Sequence, residues 1–294
     1  MTVLISGVTG FLGSHLFYAL KKQGYTVIGL KRTTSDTYRI NTTLEEEFFY
    51  NIDVQSIEDI FKSHKIDTVI NTVTDYGRNG SSISSIVETN LLFGLNLLEN
   101  TIKYNVSTFI NTDTLLSKDI NAYAFSKAQL VEWMKYLSAG TNTKMLNIKI
   151  EHMYGILDDE NKFIYWLINQ LKSNVAKIDL TSGIQKRDFI YIDDIVNAYI
   201  TIINNIEKLE KYEEFELGTG KSVEVKYFIE SVFTELNKKK TLDTKLNFGA
   251  IAYRAGESMN MCADISKLEQ LGWHSSVRIE DGIKKIINGE NTDD

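Results

Sequence analysis

The first twenty residues constrain the fold of this chain more than any other stretch. Thr2-Val-Leu-Ile-Ser6 is a short apolar, β-branched run of the kind that forms a buried strand. Gly7-Val-Thr-Gly10-Phe-Leu-Gly13 follows at once, and Ser14-His-Leu-Phe-Tyr-Ala-Leu20 continues with helical periodicity. A glycine turn between strand and helix lets the backbone come close to a phosphate group. The helix start then offers N–H groups and the positive end of a dipole. The spacing is Gly-x-x-Gly-x-x-Gly rather than the Gly-x-Gly-x-x-Gly of the dinucleotide fingerprint. Glycine at such a turn also serves simply to reach φ > 0. The strand–turn–helix order favours dinucleotide binding, with Gly7, Thr9, Gly10, Phe11, Leu12 and Gly13 as the candidate contacts.

The same alternation continues. Strand-like runs at 25–30, 48–50, 67–71, 107–111 and 145–150 are separated by helical patterns near 56–64, 84–104 and around Tyr123. Strands alternating with helices imply right-handed βαβ units and a parallel sheet covered on both faces. Beyond about residue 155 the rhythm loosens into helices at 161–172, 193–206 and 224–237 with short strands such as Phe215-Glu-Leu217. The expected fold is α/β: a Rossmann-type doubly wound parallel sheet with a smaller α+β substrate-binding domain. Residues 1–155, rejoined by about 188–222, form the dinucleotide domain, and about 156–187 with 223–294 form the second. The tail from Gly289 to Asp294 is expected to fray.

Composition narrows the function classes. A length of 294 residues supports a sizeable core, and 43% hydrophobic with 24% charged residues is ordinary for a globular protein. The net charge of −7 argues against nucleic acid or an anionic membrane as partner. No window approaches the roughly 18 apolar residues of a membrane span, and the N-terminus has no basic leader. Cys262 is the single cysteine, which excludes an internal disulfide and suits a reducing compartment, so the cytoplasm is expected. The four histidines, at 15, 64, 152 and 274, have no metal-ligand spacing, and no metal is expected. The chain has no proline, and nothing functional follows from that.

Tyr123-Ala-Phe-Ser-Lys127 is the clearest chemical device. Positions i and i+4 of a helix share a face, so the phenol and the ammonium point into one space. An adjacent ammonium favours phenolate, and a drop of about three units from about 10, worth about 4 kcal/mol, brings the phenol near neutral pH. Alone the pattern is a common helix-surface pair; the glycine turn upstream supplies the cofactor that gives it a use. Two basic residues, Lys31-Arg32, stand at the end of the second strand, where dinucleotide domains commonly carry an acid for the ribose hydroxyls. Arginine there grips a 2′-phosphate, so the expected cofactor is NADPH, with NAD as the alternative.

Taken in order, the glycine turn, Asp53, Asn71, Asn90, Thr112, Tyr123/Lys127, Tyr154-Gly155, Arg187-Asp188-Phe189 and Arg254 resemble the extended short-chain dehydrogenase/reductases of the nucleotide-sugar epimerase/dehydratase family. Asp75-Tyr-Gly-Arg78, Asn111-Thr-Asp-Thr114 and Gln185-Lys-Arg-Asp-Phe-Ile-Tyr191 look most like the CDP-abequose and CDP-paratose synthases, which are 4-ketoreductases. The resemblance implies an oxidoreductase of deoxysugar and surface-polysaccharide (O-antigen) biosynthesis. Its substrate is a nucleotide-linked 4-keto-deoxyhexose, CDP-linked by this likeness, and it forms a homodimer through the 84–104 and 121–138 helices.

By the same resemblance, Thr112 polarises the substrate carbonyl, with Thr114 as the fallback. Tyr123 supplies the proton, and Lys127 also binds the nicotinamide ribose. Asp53, Thr72, Thr74 and Asn90 belong to the cofactor site, and Tyr76 and Arg78 face the sugar. Lys162 and Phe163 contact the nucleotide, while Arg187 and Arg254 meet the diphosphate, although Arg187 also has acids nearby for a structural ion pair. The 4,6-dehydratases of the family read Thr-Asp-Glu where this chain reads Thr112-Asp113-Thr114, which counts against dehydration. Asp113 is expected to be structural or pocket-lining, and Asp188, Asp193 and Asp194 to be acids favoured at a helix start. An NAD-dependent 4-epimerase and a catalytically silent cofactor-sensing or scaffold protein are the competing readings.

Overall fold

The computed structural model describes residues 1–40, 48–78, 80–254 and 256–289, so all but Gly289 of the tail expected to fray lies outside the described residues. The chain forms two compact units, Met1–Ile150 with Tyr199–Glu216, and Glu151–Ala198 with Leu217–Asp294.

The first unit is built on a seven-stranded sheet. Its strands are β1 (Thr2–Ser6), β2 (Thr26–Lys31), β3 (Phe49–Asn51), β4 (Thr68–Asn71), β5 (Thr108–Thr114), β6 (Lys144–Ile150) and β11 (Tyr212–Leu217). Their order is β11-β6-β5-β4-β1-β2-β3, and every pairing from β6 to β3 is parallel. The order reverses beside β1, the switch point at which ligands bind in open α/β sheets, beyond the strands' C-terminal ends. The helices are α1 (Phe11–Lys22), α2 (Ile57–Ser63), α3 (Ile83–Val87), α4 (Phe93–Lys103) and α5 (Ala122–Ser138). The apolar runs of β1 and β2 and the buried residues of β4 and β5 fit strands covered on both faces. Leu4, Ile28, Val69, Phe109 and Met145 from the strands pack with Leu97, Leu98, Leu130 and Met134 from α4 and α5 in one core.

Two elements differ from the sequence expectation. The 84–104 helix contains a π-helical stretch, Glu88–Leu92, between α3 and α4. A π turn admits one extra residue and often marks a functional position. The fifth strand runs three residues past 111, because the β-branched Thr112 and Thr114 continue its ladder with Ile148 and Ile150 of β6.

Within the second unit, β7 (His152–Tyr154) pairs in parallel with β10 (Phe189–Tyr191), and β8 (Lys177–Leu180) with β13 (Lys245–Phe248). β9 (Lys186–Arg187) pairs antiparallel with β12 (Val223–Glu224). Helices α6 (Phe163–Lys172), α8 (Val225–Lys239), α9 (Ser266–Gln270) and α10 (Ile279–Asn288) complete it, and α7 (Ile192–Asn204) carries the chain back to the first unit. Its centre is aromatic: Phe189 stacks on Phe228 at 4.2 Å, and Tyr154 meets Phe228 edge-on at 5.3 Å.

Candidate active site

The glycine turn is tight for a definite reason. Gly7 has φ +70°, and a Cβ on Gly13 would lie 2.3 Å from the Gly7 carbonyl oxygen, so only glycine lets α1 seat on the end of β1. Helix α1 begins with no side-chain cap and no acidic residue in its first turn. A bare helix start with close backbone is what a pyrophosphate needs, and these residues fit a dinucleotide.

At the end of β2, Lys31 Nζ donates to Asn51 Oδ1 at 2.7 Å, and Arg32 is exposed. Asp53 accepts from the Thr33 N–H at 2.9 Å and from the Thr33 hydroxyl, bonds that hold its carboxyl below the usual range. Asp53 thereby fixes the turn that presents Arg32. Sequence reading missed Arg39, which is buried against this region and donates to the Thr9 carbonyl at 3.4 Å. Its distance in sequence from the glycines left no signal. Thr72 Oγ1 donates to the Ser6 carbonyl at 2.7 Å beside Gly7, and Thr74 is half-buried in the loop beyond β4.

That loop is pinned by Asn90, buried in the π turn. Its amide accepts from the Asp75 N–H at 2.7 Å and donates to the Asp75 carbonyl at 2.9 Å and to Ser126 Oγ at 3.0 Å. One side chain thus ties the 75-loop to α5, one residue from Lys127. Gly77, at φ +69°, turns the loop back, and the Tyr76 ring lies 5.1 Å from that of Tyr123. Arg78 stands 5.2 Å over Tyr76, so a cation, two phenols and the Thr114 hydroxyl form a continuous group.

Tyr123 and Lys127 lie on the buried side of α5, whose first turn Asn121 caps by accepting from the Ala124 N–H. Lys127 is 1% exposed and donates to the carbonyls of Val73 and Thr112, both at 3.0 Å. Burial lowers its pKa to about 8. Tyr123 does not behave as its spacing suggested. Burial pushes its phenol well above the usual range, and the neighbouring Tyr76 adds to this, against smaller lowering effects of Thr114 and Arg78. The expected phenol near neutral pH is therefore corrected: desolvation outweighs any charge effect, and the Lys127 ammonium is directed at two backbone carbonyls.

Thr112 and Thr114 share a face of β5, but their hydroxyls have different partners. Thr112 Oγ1 is 2.7 Å from the Tyr199 hydroxyl, whereas Thr114 Oγ1 accepts from the Leu116 N–H at 3.2 Å. On the opposite face, Asp113 accepts from Asn147 Nδ2 at 2.9 Å. It ends a buried ladder in which Ser6 donates to Asn71 at 2.7 Å, Asn71 to Asn111 at 3.1 Å and Asn111 to Asn147 at 2.9 Å. The only sequence signal for this ladder was a short polar residue at the end of β1 and β4 and within β6, and two of them, Asn111 and Asp113, in β5.

The candidate substrate residues of the second unit are arranged as follows. Lys162 pairs with the buried Asp158 at 2.7 Å, and Phe163 is exposed at the start of α6, its ring tilted against Trp166 at 5.9 Å. Arg187 is buried, donates to the Ser258 carbonyl at 2.7 Å and forms an ion pair with Glu257, rather than with the acids nearest in sequence. Arg254 is exposed. Asp188 is not a helix-start acid: it lies ahead of β10 and accepts from Thr219 and Gly220 N–H at 2.8 and 3.0 Å. Asp194 does lie in the first turn of α7, where its carboxylate takes the Ser276 and Val277 N–H groups. Among the described residues no group of three or more His, Cys, Asp or Glu is placed to hold a metal ion. No helix among them is long and apolar enough to cross a membrane.

Comparison with known proteins bears on what such a site serves. Residues 3–218 match the NAD dependent epimerase/dehydratase family. The chain belongs to that family. A CDP-abequose synthase of Salmonella muenchen is 37% identical over 97% of both chains. A CDP-abequose synthase of Salmonella typhimurium is 32% identical, again over 97% of both. The UDP-glucose 4-epimerase of Thermotoga maritima, solved with UDP-glucose, superposes with a TM-score of 0.81 over 98% of each chain. At 23% identity that likeness speaks for the Rossmann-type fold alone.

Proposed function

We propose that this protein is an NADPH-dependent reductase of the C4 keto group of a CDP-linked 4-keto-deoxyhexose. The observation that carries the reading is the 37% identity, over nearly the full length of both chains, with a CDP-abequose synthase. Its place would be deoxysugar synthesis for surface polysaccharide such as O-antigen, in the cytoplasm. The first unit serves the dinucleotide and the second the nucleotide sugar.

When bound, NADPH supplies the hydride for C4. The backbone of Gly7–Gly13 and the start of α1 hold its pyrophosphate, and Arg32, with Arg39 behind the turn, favours a 2′-phosphate over a free hydroxyl. Thr112 donates to the C4 carbonyl oxygen, polarising it. Tyr123, kept protonated by burial, gives its proton to that oxygen as C4 is reduced, so the carbonyl becomes a hydroxyl. Lys127 uses two of its three N–H bonds to hold the loop beyond β4 at Val73 and β5 at Thr112, leaving one for a nicotinamide ribose hydroxyl. Tyr76 and Arg78 stand on the sugar side of Tyr123. Asp113 is engaged with Asn147 and position 114 is threonine, so the site lacks the acid pair of a dehydratase.

The test is turnover of CDP-, GDP-, dTDP- and UDP-linked 4-keto-6-deoxyhexoses. NADPH should be consumed stoichiometrically, fastest with the CDP sugar. Interconversion of two hydroxyl epimers without net cofactor oxidation would overturn the reading in favour of an epimerase. Arg32→Ala should weaken NADPH far more than NADH, and equal weakening would remove Arg32 from phosphate recognition. The exposed Phe125, Trp133 and Tyr136 on one face of α5 support a homodimer through the 84–104 and 121–138 helices. A monomer mass in light scattering would exclude it.

A further inference from the structure

The Thr112 hydroxyl is held by a residue that no sequence motif singled out. Tyr199 lies 87 residues away, in the part of α7 that belongs to the first unit, and is completely buried. Its phenol oxygen is 2.7 Å from Thr112 Oγ1, and either atom has the capacity to donate. Among the described residues neither hydroxyl has another hydrogen-bond partner.

The difference in burial decides the direction of the bond: Tyr199 is completely buried, whereas Thr112 is only half-buried, so its proton has somewhere else to point. A buried O–H without an acceptor is strongly disfavoured, and Thr112 Oγ1 is the acceptor within reach of the Tyr199 proton. If Thr112 donated instead, the phenol proton would be stranded in the core. A phenol is also a far stronger acid than an aliphatic alcohol, hence the better donor. Tyr199 therefore donates and Thr112 accepts, which leaves the Thr112 proton to point elsewhere. A hydroxyl that accepts a hydrogen bond is polarised into a better donor. The Thr112 carbonyl, meanwhile, takes the Lys127 ammonium at 3.0 Å, so backbone and side chain of this residue are both constrained.

We propose that Tyr199 is a positioning residue for the reduction. It donates to Thr112 Oγ1 and so presents the Thr112 proton to the substrate's C4 carbonyl oxygen. This rests on the reading of Thr112 as the carbonyl-polarising group.

The test compares Tyr199→Phe, Thr112→Val, Thr112→Ser and the Tyr199→Phe/Thr112→Val double variant. Phenylalanine keeps the buried ring and removes only the hydroxyl. For each, kcat and KM for the 4-keto sugar nucleotide are measured, with NADPH affinity by fluorescence titration and the thermal unfolding midpoint. Tyr199→Phe should lower kcat about five- to tenfold, with KM and NADPH affinity unchanged. The double variant should be no slower than Thr112→Val alone, and Thr112→Ser should keep most of the activity. Unchanged kcat in Tyr199→Phe, even with a lower unfolding midpoint, makes the contact purely structural and overturns the proposal. So does an equal fold-loss from Tyr199→Phe in the Thr112→Val background. If Thr112→Val is as active as the wild type, the reading of Thr112 itself fails, an outcome distinct from an impaired Thr112→Val beside a fully active Tyr199→Phe. Should Tyr199→Phe alone not fold, the double variant, which removes both hydroxyls and strands neither, is compared with Thr112→Val, and a further loss of kcat in the double variant overturns the proposal.

Discussion

A lysine ammonium at 1% exposure loses most of its hydration, and the loss brings its pKa down from 10.5 to about 8. The sign of the consequence is definite. A step that needs the ammonium fades as pH rises through about 8, so kcat/KM should fall on that limb. Lys127→Arg, charged at all accessible pH, should move the limb upward if the variant keeps activity; an unmoved limb assigns it to another group. For stability, the unfolded chain binds the extra proton between about 8 and 10.5, so this residue's contribution to stability rises with pH across that window. Tyr123 is shifted the other way and stays protonated, as a proton donor requires. Tyr123→Phe should lower kcat by about 10²-fold while NADPH affinity is unchanged, and retained turnover would remove the phenol from the reaction. That Tyr123 and Lys127 lie on one buried side of α5 was legible from their spacing. Their pKa values were not, because burial shifts both and Tyr76 further raises that of Tyr123, effects that come from elsewhere in the chain.

At the scale of elements, the strand–turn–helix at the N-terminus was readable because every constraint on it is local. Gly13 faces the Gly7 carbonyl six residues back, and a methyl group there must displace the helix start. Gly13→Ala should therefore destabilise the protein by about 1–3 kcal/mol in denaturant unfolding and weaken NADPH about tenfold or more. Full affinity in that variant would show that the backbone approach at Gly13 is not needed. The helix over 84–104 was legible from periodicity, but its π turn was not. That turn exists where Asn90 leaves the helical pattern to satisfy Asp75 and Ser126, which lie on two other segments. In the same way β5 outruns its apolar pattern because β6 offers a matching ladder as far as Ile150.

At the scale of the whole molecule, the parallel sheet is knit together by the polar ladder from Ser6 through Asn71, Asn111 and Asn147 to Asp113. Each amide accepts from one neighbour and donates to the next, so a fully buried row remains satisfied across β1, β4, β5 and β6. Asn111→Ala strands the Asn71 donor and the Asn147 acceptor together. Unfolding free energy should drop by about 2–4 kcal/mol, and a loss near zero would mean that the ladder adds nothing.

The division between sequence and structure follows from distance along the chain. Periodicity, glycine spacing and i/i+4 geometry act within a few residues, so the α/β alternation, the Rossmann-type sheet and the Tyr123/Lys127 pair were contained in the sequence itself. Strand register, the partner of a buried hydroxyl and the hydration of a charge depend on segments tens of residues apart. Only the tertiary structure joined Thr112 to Tyr199, aligned four asparagine-ladder strands and turned Arg187 toward Glu257. Burial, which sets the protonation of Tyr123 and Lys127, is likewise a property of the folded whole.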